Sequence, residues 1–207
     1  MSQNEALRLL ATLDRVWTSI RAEHKDVPQV LLLAAPSSRR HGPIGHFSAL
    51  RWQHRTAGAL HEVVLFAEYL HQEPTRVLEV LLHEAAHAAN YAQGIKDCSA
   101  SQYHNRSFKR TAEELGLLVQ RYGHRGFADT KLRPETAVRF AVQLKLLGDE
   151  IKAYRRWSRD KAVGVQTPSR NLKASCRCGY LIRVARSTLA ATEIRCGQCQ
   201  QPFVCCD

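Results

Sequence analysis

Residues 83–87 read His83-Glu84-Ala85-Ala86-His87. On a helix, four residues turn the chain through about 400°, so His83 and His87 face the same way one turn apart. Two imidazoles so placed can share one Zn²⁺ at about 2.0–2.1 Å. Glu84, about 100° further round, can reach a water at the metal without ligating it, which suits a general base. Chance gives this pattern in roughly 3% of chains of this length and composition. Two unrelated surface histidines would also not call for the apolar Leu81 and Leu82, or for Ala85, Ala86, Ala88 and Ala89, around them.

A catalytic zinc needs a third protein ligand and an open position. Gly at 90 and His at 93 would extend the motif, but the chain has Asn90 and Gln93. His104 is the preferred third ligand. Glu113 and Glu114 are the alternatives, although their Glu-Glu-Leu-Gly run also fits a solvated helix face. Such a centre activates water, polarises a carbonyl and uses Glu84 to carry the proton, which is the chemistry of peptide hydrolysis. Tyr91, Tyr103 and His124 are candidates to steady the oxyanion.

A second cluster lies near the C-terminus. Six of the seven cysteines fall between Cys176 and Cys206. In a chain read as remaining inside the cell, they suggest a metal site before a disulfide framework. Cys176, Cys178, Cys196 and Cys199 are the expected ligands of a closed structural zinc, with Cys205 or Cys206 as substitutes because the Cys-x-Cys spacing of the first pair is one residue short. A module of about 35 residues has too little core to fold without such a staple. Cys98 stands alone and is read as an ordinary small residue.

Charge points to a partner. The net charge is +11, and residues 131–207 carry 15 basic against 6 acidic groups, a net of +9. Arginine outnumbers lysine 22 to 8, and the guanidinium fork suits phosphate. Helical spacing puts Lys145, Lys152, Arg156 and Arg159 on one face of a long helix, with Arg177, Arg183 and Arg186 beyond it. The expectation is largely sequence-independent DNA binding through the phosphate backbone, with Tyr180 or Trp157 available for base stacking. A solvated helix with no partner is the alternative.

These residues need elements to hold them. Leu9, Leu13, Val16, Trp17 and Ile20 predict a helix over 5–24. Residues 28–35, 45–53 and 62–70 read as strands. Pro74 and Thr75 open the motif helix, 76–93, and Gly94 closes it. Phe108, Ala112, Leu115 and Val119 predict a further helix, and a long amphipathic one begins at Pro134 with Phe140, Leu144, Leu147, Ile151 and Tyr154 as its apolar stripe. Residues 164–175 look like a linker. Beyond it Tyr180, Ile182 and Val184 suggest a hairpin returning at 193–195. No apolar run approaches the roughly 20 residues of a membrane span, and the first fourteen residues lack a signal-peptide core. The expected location is cytoplasmic, associated with the nucleoid in a bacterium.

Leu-Leu-His-Glu-Ala-Ala-His-Ala, followed after a gap by Tyr-His-Asn-Arg-Ser-Phe-Lys-Arg-Thr-Ala-Glu-Glu-Leu-Gly-Leu, resembles the SprT/Spartan metalloprotease family over roughly residues 45–118. In that family the third histidine opens a His-Gly-x-x-Phe-type segment, and Asn105 here replaces the glycine. The resemblance implies a zinc peptidase, and some members cleave proteins crosslinked to DNA. The expected fold is α+β and zincin-like, a small antiparallel sheet packed with the motif helix and further helices. The expected divisions are an SprT-like metallopeptidase domain (1–130), a basic amphipathic helix and linker (131–173) and a zinc ribbon (174–207). The expected cofactors are one catalytic and one structural Zn²⁺; the expected partners are DNA and protein substrates. A DNA-associated regulator with structural zinc and little catalysis, or a peptidase for one specific repressor, are the competing readings.

Overall fold

The computed structural model describes residues 5–37, 43–56, 58–157 and 171–206. The architecture is mixed α+β, with small sheets and six α-helices among the described residues. The chain divides into two compact units, 1–157 and 158–207.

The first unit begins with α1 (Glu5–Glu23), which buries Leu13, Val16, Trp17 and Ile20 as its apolar spacing predicts. Strands β1 (Val30–Ala35), β2 (Gly45–His54) and β3 (Gly58–Phe66) form a sheet in the order β1-β3-β2. β1 runs parallel to β3, and β2 runs antiparallel to it. The sheet is therefore mixed rather than purely antiparallel. β3 lies four residues upstream of its expected start, because the turn at Gly58 (φ +78°) pairs His54 with Gly58 and fixes the register.

The motif helix α2 (Pro74–Ala92) starts at Pro74 and ends before Gly94 (φ +70°), as read from the sequence. It is buried along most of its length, with Leu78, Leu81, Leu82, Ala85, Ala86 and Ala88 fully enclosed. Helix α3 (Arg106–Glu114) is capped by Asn105, whose Oδ1 accepts from the backbone N–H of Ser107 (2.7 Å) and Phe108 (3.2 Å). The pattern through Val119 predicted a longer helix. Instead Gly116 (φ +96°) turns the chain, and a Cβ there would lie 2.1 Å from Thr136 Oγ1. Beyond it β4 (Leu117–Gln120) pairs antiparallel with β5 (Asp129–Leu132), burying Leu117 and Val119 at a two-residue period.

The long basic helix is also corrected. It is broken at Phe140 into α4 (Pro134–Arg139) and α5 (Ala141–Glu150), and Phe140 and Leu147 are buried in the core. Arg8 and Arg139 tie these helices to α1 through Glu150 (2.7 Å) and Glu23 (3.0 Å). After Glu150 the chain leaves the helix without regular structure, and its residues find partners on the turn at 67–71. Arg155 N–H donates to Ala67 O (3.0 Å), the Arg155 guanidinium meets buried Glu68, and Trp157 and Tyr154 contact Tyr69 and His71. Residues 131–157 thus belong to the first unit rather than to a connector.

In the second unit, β6 (Asn171–Ser175) occupies part of the expected linker and pairs with β7 (Leu181–Ala185), while β8 (Val204–Cys205) pairs on its other side. The hairpin partner of β7 is β6 and not 193–195, since a short helix, α6 (Arg186–Ala191), follows β7 directly. No helix among the described residues is long and apolar enough to cross a membrane.

Candidate metal centre

Three histidines converge. His83 and His87 come from one face of α2, and His104 comes from the loop that leads into α3. Their ligand atoms all lie within 4.8 Å of one another, and His87 Nε2 stands 3.2 Å from His104 Nε2. A tetrahedral zinc with bonds of about 2.0–2.1 Å would set its nitrogens roughly 3.3 Å apart, so the group fits such an ion. Glu113, one of the alternative ligands, instead pairs with Lys109 (3.6 Å) on α3, and neither Glu113 nor Glu114 joins the group.

Each imidazole is held from behind through Nδ1. Thr130 Oγ1 lies 3.2 Å from His83 Nδ1, Asp97 Oδ2 lies 2.8 Å from His87 Nδ1, and the Gln102 carbonyl lies 3.1 Å from His104 Nδ1. With the proton on Nδ1, the Nε2 lone pairs are left for a metal. The surroundings favour the neutral ring at His83 and at His104. Loss of solvent, and then the neighbouring histidines, push His83 well below the ordinary imidazole value; burial and His87 lower His104.

Beneath the three rings sits Phe108, fully buried on α3. Its ring centre lies 4.7, 4.6 and 4.6 Å from those of His83, His87 and His104. The three-histidine group thus rests directly on the hydrophobic core.

Glu84 is buried beside this group. Burial drives its carboxyl up to about 7, against the opposing pull of His87 and of the Phe47 backbone N–H, which donates to it. The approach of β2 is close because residue 45 is glycine: a Cβ there would lie 2.8 Å from Val64 O, 2.9 Å from Val80 Cγ1 and 3.4 Å from Glu84 Oε1.

The centre opens into a cleft of about 1290 Å³, walled by β2 residues on one side and by 122–130 on another. Tyr91 and His124 line it, whereas the Tyr103 hydroxyl accepts from Arg121 (3.1 Å) and Tyr103 is not among the lining residues. Cys98 lines the cleft too, but burial and Asp97 raise its thiol pKa, which keeps it a thiol.

Residues 37–132 match the family model described as SprT-like, a span that contains all three histidines and Glu84. The chain carries an SprT-like domain. Neither the comparison with curated proteins nor that with solved structures returns a match. The SprT-like match ends at β5, so α4 and α5, which pack on the same core, lie beyond it.

Outside the SprT-like domain, Cys176, Cys178, Cys196 and Cys199 form a second group, their sulfurs also within 4.8 Å of one another. Cys176 Sγ–Cys178 Sγ and Cys178 Sγ–Cys196 Sγ are 3.2 and 3.6 Å, against about 3.8 Å for the edge of a tetrahedron of zinc–sulfur bonds of about 2.3 Å. The short Cys-x-Cys spacing works because Gly179 (φ +88°) closes a tight turn, its N–H donating to Cys176 O (3.0 Å). The N–H groups of Cys199 and Gln198 hold the Cys196 thiol down at about 6. Cys205 and Cys206 are exposed and outside the group.

The expected basic strip is not a single helix face. Lys145 lies on α5 and pairs with Asp149, and Lys152 Nζ donates to Gly148 O (2.9 Å) past the helix end. Arg156 is on the irregular segment after α5, and Arg159 lies outside the described residues. Arg183 and Arg186 are exposed on β7 and at the start of α6.

The sequence reading missed Asp97, Thr130 and Gly45 as site residues. Asp97 and Thr130 sit ten and forty-three residues beyond His87, without a helical relation to it. Gly45 carries its meaning only through the strand–helix approach.

Proposed function

We propose that this chain is a zinc-dependent endopeptidase of the SprT/Spartan type that acts on proteins bound or crosslinked to DNA. The observation that carries the proposal is the three-histidine group, each ring held through Nδ1, with buried Glu84 beside it on the floor of an open cleft. His83, His87 and His104 would hold the catalytic zinc, and the four cysteines a structural one in a zinc ribbon. A bound zinc supplies Lewis acidity, which makes water a nucleophile at neutral pH and polarises the peptide carbonyl.

Glu84 does the proton work. A carboxyl poised at about 7 can accept a proton from the attacking water and return it to the departing amine. Tyr91 and His124, on the cleft wall, are the donors available to the developing oxyanion. Lys152, Arg156, Arg183 and Arg186, with Lys145 and Arg159, supply cationic contacts to phosphate; sequence-independent contact of this kind weakens steeply with salt.

The test is proteolysis of a DNA-bound protein by the full chain, with and without DNA and with and without a zinc chelator. The Glu84→Gln variant is expected to keep its zinc and lose hydrolysis. Near-normal turnover by the zinc-loaded variant would refute the role given to Glu84. Cleavage that is unaffected by DNA would point to a specific protein substrate instead.

A further inference from the structure

The three histidines do not have equivalent partners behind them. His83 meets a hydroxyl and His104 a backbone carbonyl, whereas His87 meets a carboxylate, Asp97 Oδ2 at 2.8 Å. The same Oδ2 accepts from Asn90 Nδ2 at 3.0 Å. Asn90 is fully buried, and its other end accepts from Thr111 Oγ1 at 2.8 Å. Asn90 lies on α2 three residues after His87, and Thr111 lies on α3 three residues after Phe108. Asp97 O also accepts from the Asn105 N–H (2.9 Å), next to His104 in the chain. Asp97 is therefore fastened by its side chain to α2, through Asn90 to α3, and by its backbone carbonyl to the loop that carries the third ring.

Asp97 is not placed as a ligand itself. Its carboxylate stands on the Nδ1 side of His87, and it is not part of the group formed by the three histidines. An aspartate needed only for the fold would not have to spend its oxygen on an imidazole. The anion at Nδ1 does two things that a neutral acceptor does less well. It fixes the tautomer with the proton on Nδ1, and it increases electron density at Nε2.

We propose that Asp97 is a positioning residue for the metal centre, which holds His87 in the Nδ1–H tautomer and makes it the strongest donor of the three, with Asn90 and Thr111 locking the carboxylate in place. This inference rests on the reading of the histidine group as a metal site.

The experiment uses the full chain titrated with Co²⁺ and with Zn²⁺ against a chelator. Thiolate-to-cobalt charge transfer reports the cysteine site, and ligand-field bands without it report the histidine site. Asp97→Asn keeps the shape and one accepting oxygen but removes the charge. It is expected to weaken metal binding at the histidine site by about 10- to 100-fold and to leave the cysteine site unchanged. In the zinc-loaded wild type, NMR is expected to show a slowly exchanging proton on His87 Nδ1. That measurement needs no variant, so the inference stays refutable if Asp97→Asn fails to fold. Equal affinity in wild type and a folded Asp97→Asn, or a His87 protonated on Nε2, would overturn the role of Asp97 alone. A wild type that gives only the thiolate signature would overturn the metal reading itself.

Discussion

Replacing Phe108 by alanine tests whether the histidine centre and the hydrophobic core are one structure. Phe108 has no exposed surface, and its ring lies within 4.7 Å, centre to centre, of all three imidazoles. Truncating a fully buried phenylalanine costs about 3–5 kcal/mol, from lost transfer energy and from the cavity left behind. A domain of this size is stable by about 5–15 kcal/mol, so the loss would be about a fifth of it or more. With a urea dependence of roughly 2 kcal/mol/M, the unfolding midpoint of the metal-free protein should fall by about 1.5–2.5 M. Phe108→Leu, which keeps most of the volume, should cost about 1 kcal/mol. The second readout is the metal. Ligand binding to the native state adds about 2.7 kcal/mol at a concentration 100 times the dissociation constant, and a tenfold weaker site adds about 1.4 kcal/mol less. Zinc should therefore restore less stability to Phe108→Ala than it adds to wild type. The assay is urea unfolding followed by circular dichroism, with chelator and with buffered zinc. A midpoint within about 0.3 M of wild type would refute the view that this ring supports the site.

Cys196→Ser should unfold the region after about residue 174, because a unit this small relies on its metal, while the histidine centre in the first unit keeps its ion. Hydrogen exchange with zinc analysis would show protection lost in 171–206 alone and one zinc remaining; loss of both zincs would refute the independence of the two sites. Lys152→Glu with Arg156→Glu should reduce DNA affinity and flatten its salt dependence without changing zinc content. Equal binding by the double variant and wild type across a salt titration would remove this segment from the contact surface.

The local pattern was enough for α2. Pro74, the apolar spacing and Gly94 specify a helix through near-neighbour physics, and a helix alone puts His83 and His87 on one face. The same holds for α1 and for the pairing of Cys196 with Cys199 across a short turn. Val119 and Tyr154 show where a local pattern fails. Both continue a helical stripe on paper, yet Val119 is buried in a strand because Gly116 turns the chain beside Thr136. Tyr154 leaves the helix because His71 and its neighbours on the turn at 67–71 offer contacts that a continued helix would forgo. Distance in sequence hides the support of the site altogether. His104 could be proposed from residue type, but its meeting with His87, and the arrival of Thr130, Asp97 and the Phe108 ring behind the imidazoles, depend on how α3 and β5 pack against α2. Sequence settles which groups can bind a metal, since that is a property of side chains and helical repeat. Which tautomer they hold, and what they rest on, is fixed only when long-range packing brings a hydroxyl, a carboxylate and a buried ring to the same few ångströms.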